Sequence, residues 1–314
     1  MDRNLALEFV RVTEAAAIAA SKWIGRGEGK KADGAAVDEM RDRFNQIDFR
    51  GRVVIGEGAK DEAPELYTGE IVGKGKKPVI DLAVDPLECT DSVAYGRYNA
   101  IAVITAGAKN SLMSAPDTYM DKIAAGPRAA KVINLNAPIA VNIKKTAKAL
   151  GKDVGDITVC ILDRERHAEL ISQVRKSGAR VRLITDGDVA GGIAPCLPES
   201  GIDLLMGVGS STESVLAAAA IKILGGEIQA RFKPVNEAHE KIIKKSGMSL
   251  SKIYRTEDLA KGKQLTFTAT GVIDGPMLSG VRFTDRAAIT HSIVIRGMSG
   301  TIRYITTHHH EYKK

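Results

Sequence analysis

Residues 157–224 read ITVCILDRERHAELISQVRKSGARVRLITDGDVAGGIAPCLPESGIDLLMGVGSSTESVLAAAAIKIL. Short apolar runs at 157–162, 181–184 and 204–208 alternate with helix-like segments at 165–177, 188–196 and 212–224. Strands that alternate with helices predict a parallel sheet joined by crossover helices, an α/β architecture. In an open α/β sheet the loops that leave the carboxyl ends of the strands line the ligand crevice. The loops at 163–167 and 186–188 are therefore well placed for a ligand.

The rhythm is different towards the amino terminus. Leu5, Phe9, Val12, Ala16, Ala19, Ala20 and Trp23 recur at helical spacing and predict an amphipathic first helix that stops at Gly25. The run 25–31 reads as a flexible loop, and Asp33 then stands where a helix N-cap belongs, ahead of Ala35, Val37, Met40 and Phe44. Strands are expected at 53–55, 78–84 and 100–105, and again in the tail at 265–272, 288–296 and 301–306. These patterns suggest an α+β amino-terminal domain over 1–150 and an α/β carboxy-terminal domain over 151–314; the acids that suit metal lie mostly in the first and the loops suited to substrate in the second.

Length and composition bound the function. The chain has 314 residues, 44% hydrophobic and 26% charged, enough apolar material for two domain cores. Its three cysteines, Cys89, Cys160 and Cys196, are too scattered for a disulfide framework and fit a reducing compartment. No apolar run reaches the length of a membrane span. The first helix carries Glu8, Arg11, Glu14 and Lys22, unlike a signal peptide. The expectation is a cytoplasmic enzyme. The net charge of +7 suits nucleic acid or an anionic small substrate, and is equally what a solvated basic surface gives. The lysines are spread, and no aromatic-interleaved basic motif points to nucleic acid.

The richest chemistry lies in 81–90, Asp-Leu-Ala-Val-Asp-Pro-Leu-Glu-Cys-Thr. A strand delivers Asp85 at its end, Pro86 is expected to fix a turn, and Glu88 then swings back toward Asp85 with Thr90 behind it. Two carboxylates and a hydroxyl suit a hard divalent cation such as Mg²⁺ or Mn²⁺. Solvated turn acids would look the same. Glu57 stands between Gly56 and Gly58 directly after a strand, and Glu213 opens a helix after a Gly/Ser loop at 207–211. That loop is no P-loop, because no Gly-Lys-Ser/Thr follows. A helix opening there can present N–H groups to phosphate, and a first-turn Glu is also an ordinary dipole partner. Arg164 and Arg166 suit bidentate contact with phosphate. His239 and His291 have no partner at ligand spacing, and the tract 308–310 reads as an unstructured tail.

Motifs in order along the chain carry a resemblance. They include Arg-Val-Thr-Glu at 11–14, Gly-Arg-Gly at 25–27, Ala-Asp-Gly-Ala-Ala-Val at 32–37 and Val-Ile-Gly-Glu-Gly at 54–58. Asp-Glu-Ala-Pro at 61–64, Ala-Val-Asp-Pro-Leu-Glu at 83–88, Ala-Pro-Asp at 115–117 and Tyr-Met at 119–120 follow. Asp-Gly-Asp at 186–188 and Ala-Thr-Gly at 269–271 complete the series. Over essentially its whole length the sequence resembles the class II (GlpX-type) fructose-1,6-bisphosphatases, within the lithium-sensitive metal-dependent phosphatases.

The resemblance implies a layered α/β/α/β/α fold, a homo-oligomer, Mn²⁺ or Mg²⁺ as cofactor and a sugar bisphosphate as substrate. The implied reaction is hydrolysis of the 1-phosphate of fructose 1,6-bisphosphate by a metal-activated water. Asp33, Glu57, Asp85, Glu88 and Glu213 match the metal-ligand positions. Thr90 matches the catalytic threonine, with a carboxylate, Asp33 or Asp61, to share its proton. Glu88, Cys89, Thr90, Tyr119, Arg164, Glu165, Arg166, Asp186, Gly187, Asp188 and Ser210 match substrate-binding positions. Another sugar bisphosphatase, such as one acting on sedoheptulose 1,7-bisphosphate, or an inositol-phosphate-type activity, is the nearest alternative within enzymes. A phosphate-sugar binding protein without turnover is the alternative outside them.

The chain departs from the family pattern around its acids. Glu28-Gly29 stands where Asp-Lys is usual, Ala59 replaces an acid, Cys89 replaces a glycine, and Asp91 adds an acid. Glu165 replaces a proline between the two arginines, and Ser210, Thr212 and Ser214 replace small residues around Glu213. A glycine replaced at a positive-φ position would add strain. The expectation is an intact ligand set in altered surroundings, with lowered activity or a shifted substrate.

Overall fold

The computed structural model describes residues 5–58 and 65–310. The chain begins with α1 (Leu5–Ser21), α2 (Gly29–Phe44), β1 (Arg50–Ile55), β2 (Ile71–Val72), β3 (Val79–Glu88), α3 (Thr90–Ala94) and β4 (Ala100–Ala108). It continues with β5 (Tyr119–Ala125), α4 (Ile139–Leu150), β6 (Thr158–Leu162), α5 (Ala168–Lys176), β7 (Arg180–Ile184), α6 (Val189–Ile193), β8 (Leu204–Ser210) and α7 (Ser211–Ile223). Then come β9 (Glu227–Phe232), α8 (Glu237–Lys245), β10 (Tyr254–Arg255) and α9 (Thr256–Leu259). It ends with β11 (Leu265–Ile273), β12 (Arg282–Phe283), β13 (Ala288–Arg296) and β14 (Thr301–His309). The architecture is α/β.

Two compact units form, Met1–Leu112 with Gly262–Lys314, and Met113–Lys261. The division expected at 150/151 differs from this one for a physical reason. β11 pairs antiparallel with β4 from Leu265 against Gly107 to Ile273 against Ala100, so the tail of the chain completes the first sheet.

In the first unit the strands run β12-β13-β11-β4-β3-β1-β2, with β14 on β13. Strand alternation sends Ile80, Leu82 and Val84 of β3, and Ala100, Ala102, Ile104 and Ala106 of β4, to one face. There they meet Phe9, Val12 and Ala16 of α1 and Met40 and Phe44 of α2. Aromatics are scarce, yet Phe9 packs edge-on to Phe44 and Phe49 at ring separations of 5.8 and 5.6 Å. The tract at 308–310, expected to be a loose tail, is corrected in part: β14 runs to His309, paired with Ala288.

In the second unit the strand order is β10-β9-β5-β8-β6-β7. The parallel sheet expected from the alternation is only half of it. β6 pairs parallel with β7 and β8, while β5 is antiparallel to both β8 and β9. The antiparallel half comes from segments at 119–125 and 227–232 that the apolar runs did not reveal. Ile123, Val159, Ile161, Leu204 and Met206 share a cluster with Ile143 of α4 and Val174 of α5. The next residues along the strands serve the other face, where Cys160 and Leu205 lie beneath Gly191 of α6. Helices thus cover both faces.

Candidate active site

In the first unit, Asp33 is not a helix cap. α2 starts at Gly29 with Glu28 in the capping position, which places Asp33 in the helix body, half-buried. Glu57 follows β1 in a tight backbone crossing. A Cβ at Gly56 would lie 1.9 Å from the Leu66 carbonyl oxygen, and that same oxygen accepts the Glu57 amide at 3.1 Å. Only glycine fits there, and the crossing fixes where Glu57 points. Burial raises the Asp33 carboxyl above its usual range. Burial, and then the neighbouring Asp33, push the Glu57 carboxyl up to about 8.

Asp85 and Glu88 sit on one strand. Pro86 does not end it in a turn: β3 runs through to Glu88, and its register against β4 shifts between Asp85 and Glu88. A bulge re-aims side chains without ending a strand, and Pro is tolerated at one. The Leu87 amide donates to Asp85 Oδ1 at 3.1 Å, and Glu88 is buried. Cys89 adopts φ 76°, ψ 51°, the left-handed conformation that the glycine replacement put at issue. Its thiol lies 3.5 Å from Glu88 Oε2 and accepts from Asn99 Nδ2 at 3.6 Å. Thr90 opens α3 and donates its hydroxyl to the Leu87 carbonyl at 3.2 Å. Gly29 lies flush against it, since a Cβ there would meet Thr90 Cγ2 at 3.2 Å. Asp61 and Ala59 lie outside the described residues.

In the second unit, Tyr119 opens β5 opposite Ser210 on β8. The Arg166 guanidinium lies over the Tyr119 ring, 5.4 Å from its centre, and His239 stacks on that ring at 5.8 Å. Arg166 also donates to the Val208 carbonyl through Nε at 3.2 Å and Nη2 at 2.8 Å. Arg164 pairs with Asp186 at 3.2 Å and donates to the Thr185 carbonyl, so the loops after β6 and β7 are tied together. Gly187 takes φ 52° between Asp186 and Asp188. Glu165 is exposed. Ser210 caps α7, its Oγ accepting the Thr212 amide at 3.2 Å, and Ser214 donates to the Ser210 carbonyl at 3.2 Å. The hydroxyls that replace small residues therefore build a helix cap under Glu213.

Two contributors escape a reading of motifs. Lys122 is fully buried on β5, with its ammonium 2.8 Å from Asp188 and 3.9 Å from Glu213. His167 bridges β6 and β8. The signal for Lys122 was a lysine on the same strand parity as the buried Met120 and Ala124.

Among the described residues, no three of His, Cys, Asp and Glu come together at metal-binding spacing. The observed fit to a cation is by a pair. Asp33 and Glu57 are half-buried carboxylates that repel each other, and an oxygen-only donor set is what a hard divalent cation takes.

The sequence profile described as "Bacterial fructose-1,6-bisphosphatase, glpX-encoded" matches residues 3–309. This chain belongs to that family. A "Fructose-1,6-bisphosphatase class 2" of Haemophilus influenzae is 45% identical over 323 aligned positions, covering 99% of this chain and 97% of that protein. Proteins of Synechococcus sp. strains JA-2-3B'a(2-13) and JA-3-3Ab, each named "D-fructose 1,6-bisphosphatase class 2/sedoheptulose 1,7-bisphosphatase", are 42% identical, covering 98% of this chain and 96% of each relative. The family is one of metal-dependent phosphatases.

Proposed function

We propose that the protein hydrolyses the 1-phosphate of fructose 1,6-bisphosphate to fructose 6-phosphate and phosphate, with Mn²⁺ or Mg²⁺ as cofactor. One observation carries the reading: the family match spans nearly the whole chain, residues 3–309. The five acids and Thr90, at the positions the resemblance gives to the chemistry, support it. The cytoplasm and a homo-oligomer complete the proposal. The three cysteines are free thiols, as a reducing compartment would keep them. No described helix is long and apolar enough to cross a membrane.

Asp33, Glu57, Asp85, Glu88 and Glu213 are the carboxylates assigned to the cofactor. A divalent cation bound there supplies Lewis-acid stabilisation of the charge that builds on the phosphoryl oxygens. Thr90, fixed by its bond to Leu87, orients the attacking water and passes the proton to a carboxylate, Asp33 or Asp61. Arg164 and Arg166 keep N–H groups beyond those used on Asp186 and Val208, and these bind the phosphate that is not cleaved. Tyr119 supports Arg166 from beneath, while Asp186 and Asp188 accept from sugar hydroxyls. Cys89, Glu165, Gly187 and Ser210 are the remaining positions that the resemblance gives to the substrate. Strain at Cys89 leaves the rate below that of family members with the usual glycine there.

A second substrate, the seven-carbon bisphosphate, is favoured by the double names of the Synechococcus relatives. The test is inorganic phosphate release from both sugars with Mn²⁺, Mg²⁺ or EDTA, beside a Glu213→Gln variant. Metal-dependent release that the variant abolishes supports the reading. Absence of release with either metal and either sugar overturns it.

A further inference from the structure

A lysine ammonium buried in a protein is costly to desolvate unless carboxylates and carbonyls surround it. Lys122, 1% exposed, is held in this way. Its Nζ donates to Asp188 Oδ1 at 2.8 Å and to the Ser210 carbonyl at 2.9 Å. Asp188 is itself buried. Glu213 Oε2 stands 3.9 Å from the same nitrogen, within reach of an ion pair but beyond a hydrogen bond.

The backbone is shaped around this group. A Cβ at Gly209 would lie 2.0 Å from Asp188 Oδ2 and 3.0 Å from Lys122 Nζ, so β8 admits the pair only by having no side chain there. The ammonium also lies beside the first turn of α7, where Glu213 sits. The positive end of a helix repels a cation, so the two carboxylates, not the helix, hold the charge in place.

We propose that Lys122 is a positioning residue for the phosphatase reaction: its ammonium orients Asp188 and balances the charge of Glu213 in the cation-free protein. The proposal rests on the functional reading above, which gives Asp188 to the sugar and Glu213 to the divalent cation. Lys122 and the cation then compete for one carboxylate. The same nitrogen ties that competition to the sugar contact.

The experiment measures Mn²⁺ binding to the sugar-free full chain, from the electron paramagnetic resonance signal of free Mn²⁺. It compares the wild type, Lys122→Met, Glu213→Gln and the double variant. Lys122→Met is expected to tighten Mn²⁺ binding at least threefold, and the gain disappears in the Glu213→Gln background. With fructose 1,6-bisphosphate, Lys122→Met raises KM at least tenfold and lowers kcat by less. A purely structural lysine would move neither the Mn²⁺ affinity nor the balance between KM and kcat.

Unchanged or weaker Mn²⁺ binding in folded Lys122→Met overturns the proposal. So does a gain that persists without Glu213, or a wild type that binds no Mn²⁺. Where Lys122→Met does not fold, Gly209→Ala displaces Asp188 and turns the ammonium toward Glu213. Mn²⁺ binding should then weaken at least threefold, and unchanged binding overturns the proposal. Mn²⁺ binding that follows the expected pattern in a wild type releasing no phosphate would instead sink the functional reading and leave the ion competition standing.

Discussion

His167 accepts the Val208 amide through Nε2 at 2.8 Å, while its Nδ1 donates to the Leu162 carbonyl at 2.7 Å. An amide can only donate, so Nε2 must be unprotonated and the proton sits on Nδ1. Val208 gives its other polar group, the carbonyl, to Arg166. The loop carrying both arginines is thus pinned to β8 through the two backbone groups of one residue. Gly207, at φ 132°, leaves room for the ring, since a Cβ there would stand 3.0 Å from His167 Nε2.

This tautomer makes stability depend on pH. Burial holds the His167 imidazole below its usual range, with Arg166 and Lys233 adding to the effect and Asp188 and the Leu162 carbonyl opposing it. The unfolded chain therefore takes up the proton first on acidification. The stability His167 contributes is full above the unfolded value near 6.5 and is lost as pH falls from there toward the lower folded value. Asp121 titrates close by with a raised carboxyl and acts in the opposite sense, so the difference between wild type and His167→Gln isolates the histidine. Urea midpoints at pH 7.5 should show the variant about 1–3 kcal/mol less stable, from the Val208 amide left unpaired. The gap should narrow by pH 5.5. A gap that stays constant would rule the linkage out.

Asp81 and Asp85 show what a sequence can and cannot say. Both are acids on one strand of alternating residues, and both belong to the richest stretch of the chain. In the fold Asp81 is fully buried and forked by Arg52 at 3.1 and 3.2 Å, a structural pair, whereas Asp85 sits beside a bulge. Neither the arginine 29 residues earlier nor the bulge is written locally. The strands of the first half and the crossover helices of the second were legible because their apolar periods are strong. The antiparallel β5 was not, since Tyr119-Met120-Asp121-Lys122 looks half polar until Lys122 is seen to be buried with its own counter-ions. Asp33 was mistaken for a cap because Gly29-Lys30-Lys31 reads as loop, yet the helix begins there. Asp85 and Glu88 were legible as cation ligands from their own stretch, the full set of five acids came from resemblance, and the fold sets Asp33 and Glu57 close enough to couple by charge.

Removing the fork from Asp81 separates structure from chemistry. Arg52→Met should cost about 1–3 kcal/mol: a buried carboxylate loses its charged partner, but Arg52 is partly exposed and the Asn110 amide still donates to Asp81. The kcat of the protein that remains folded should be unchanged. Thermal melts and initial rates at 20 °C below the melting point check both halves, and a fallen kcat would place Asp81 in the chemistry.

Cys89→Gly pits two effects of similar size against each other. Relief of the left-handed backbone contributes about 1–2 kcal/mol. Loss of a buried Cβ and sulfur costs about 1–2 kcal/mol. The melting point should therefore move by only a few degrees in either direction. The rate is the informative readout. Cys89 lies between Glu88 and Thr90, so a relaxed backbone there should raise kcat several-fold. Unchanged kinetics would show that strain at this position does not limit the reaction.

Gly29→Ala should trade stability and activity in opposite directions. The residue opens α2 and has no positive φ, so alanine there should stabilise the helix by about 0.5–1 kcal/mol. The same methyl would stand 3.2 Å from Thr90 Cγ2 and 3.5 Å from Ala94 Cβ, closer than comfortable contact with the first. Thr90 is half-buried and gives way by a few tenths of an ångström, which disturbs the alignment of its hydroxyl on Leu87. Misplacement on that scale in a group that orients the attacking water lowers kcat by about tenfold while leaving KM near its starting value. Steady-state kinetics beside a thermal melt decide it. A higher melting point with an unchanged kcat would show that Thr90 tolerates the shift and does not orient the water.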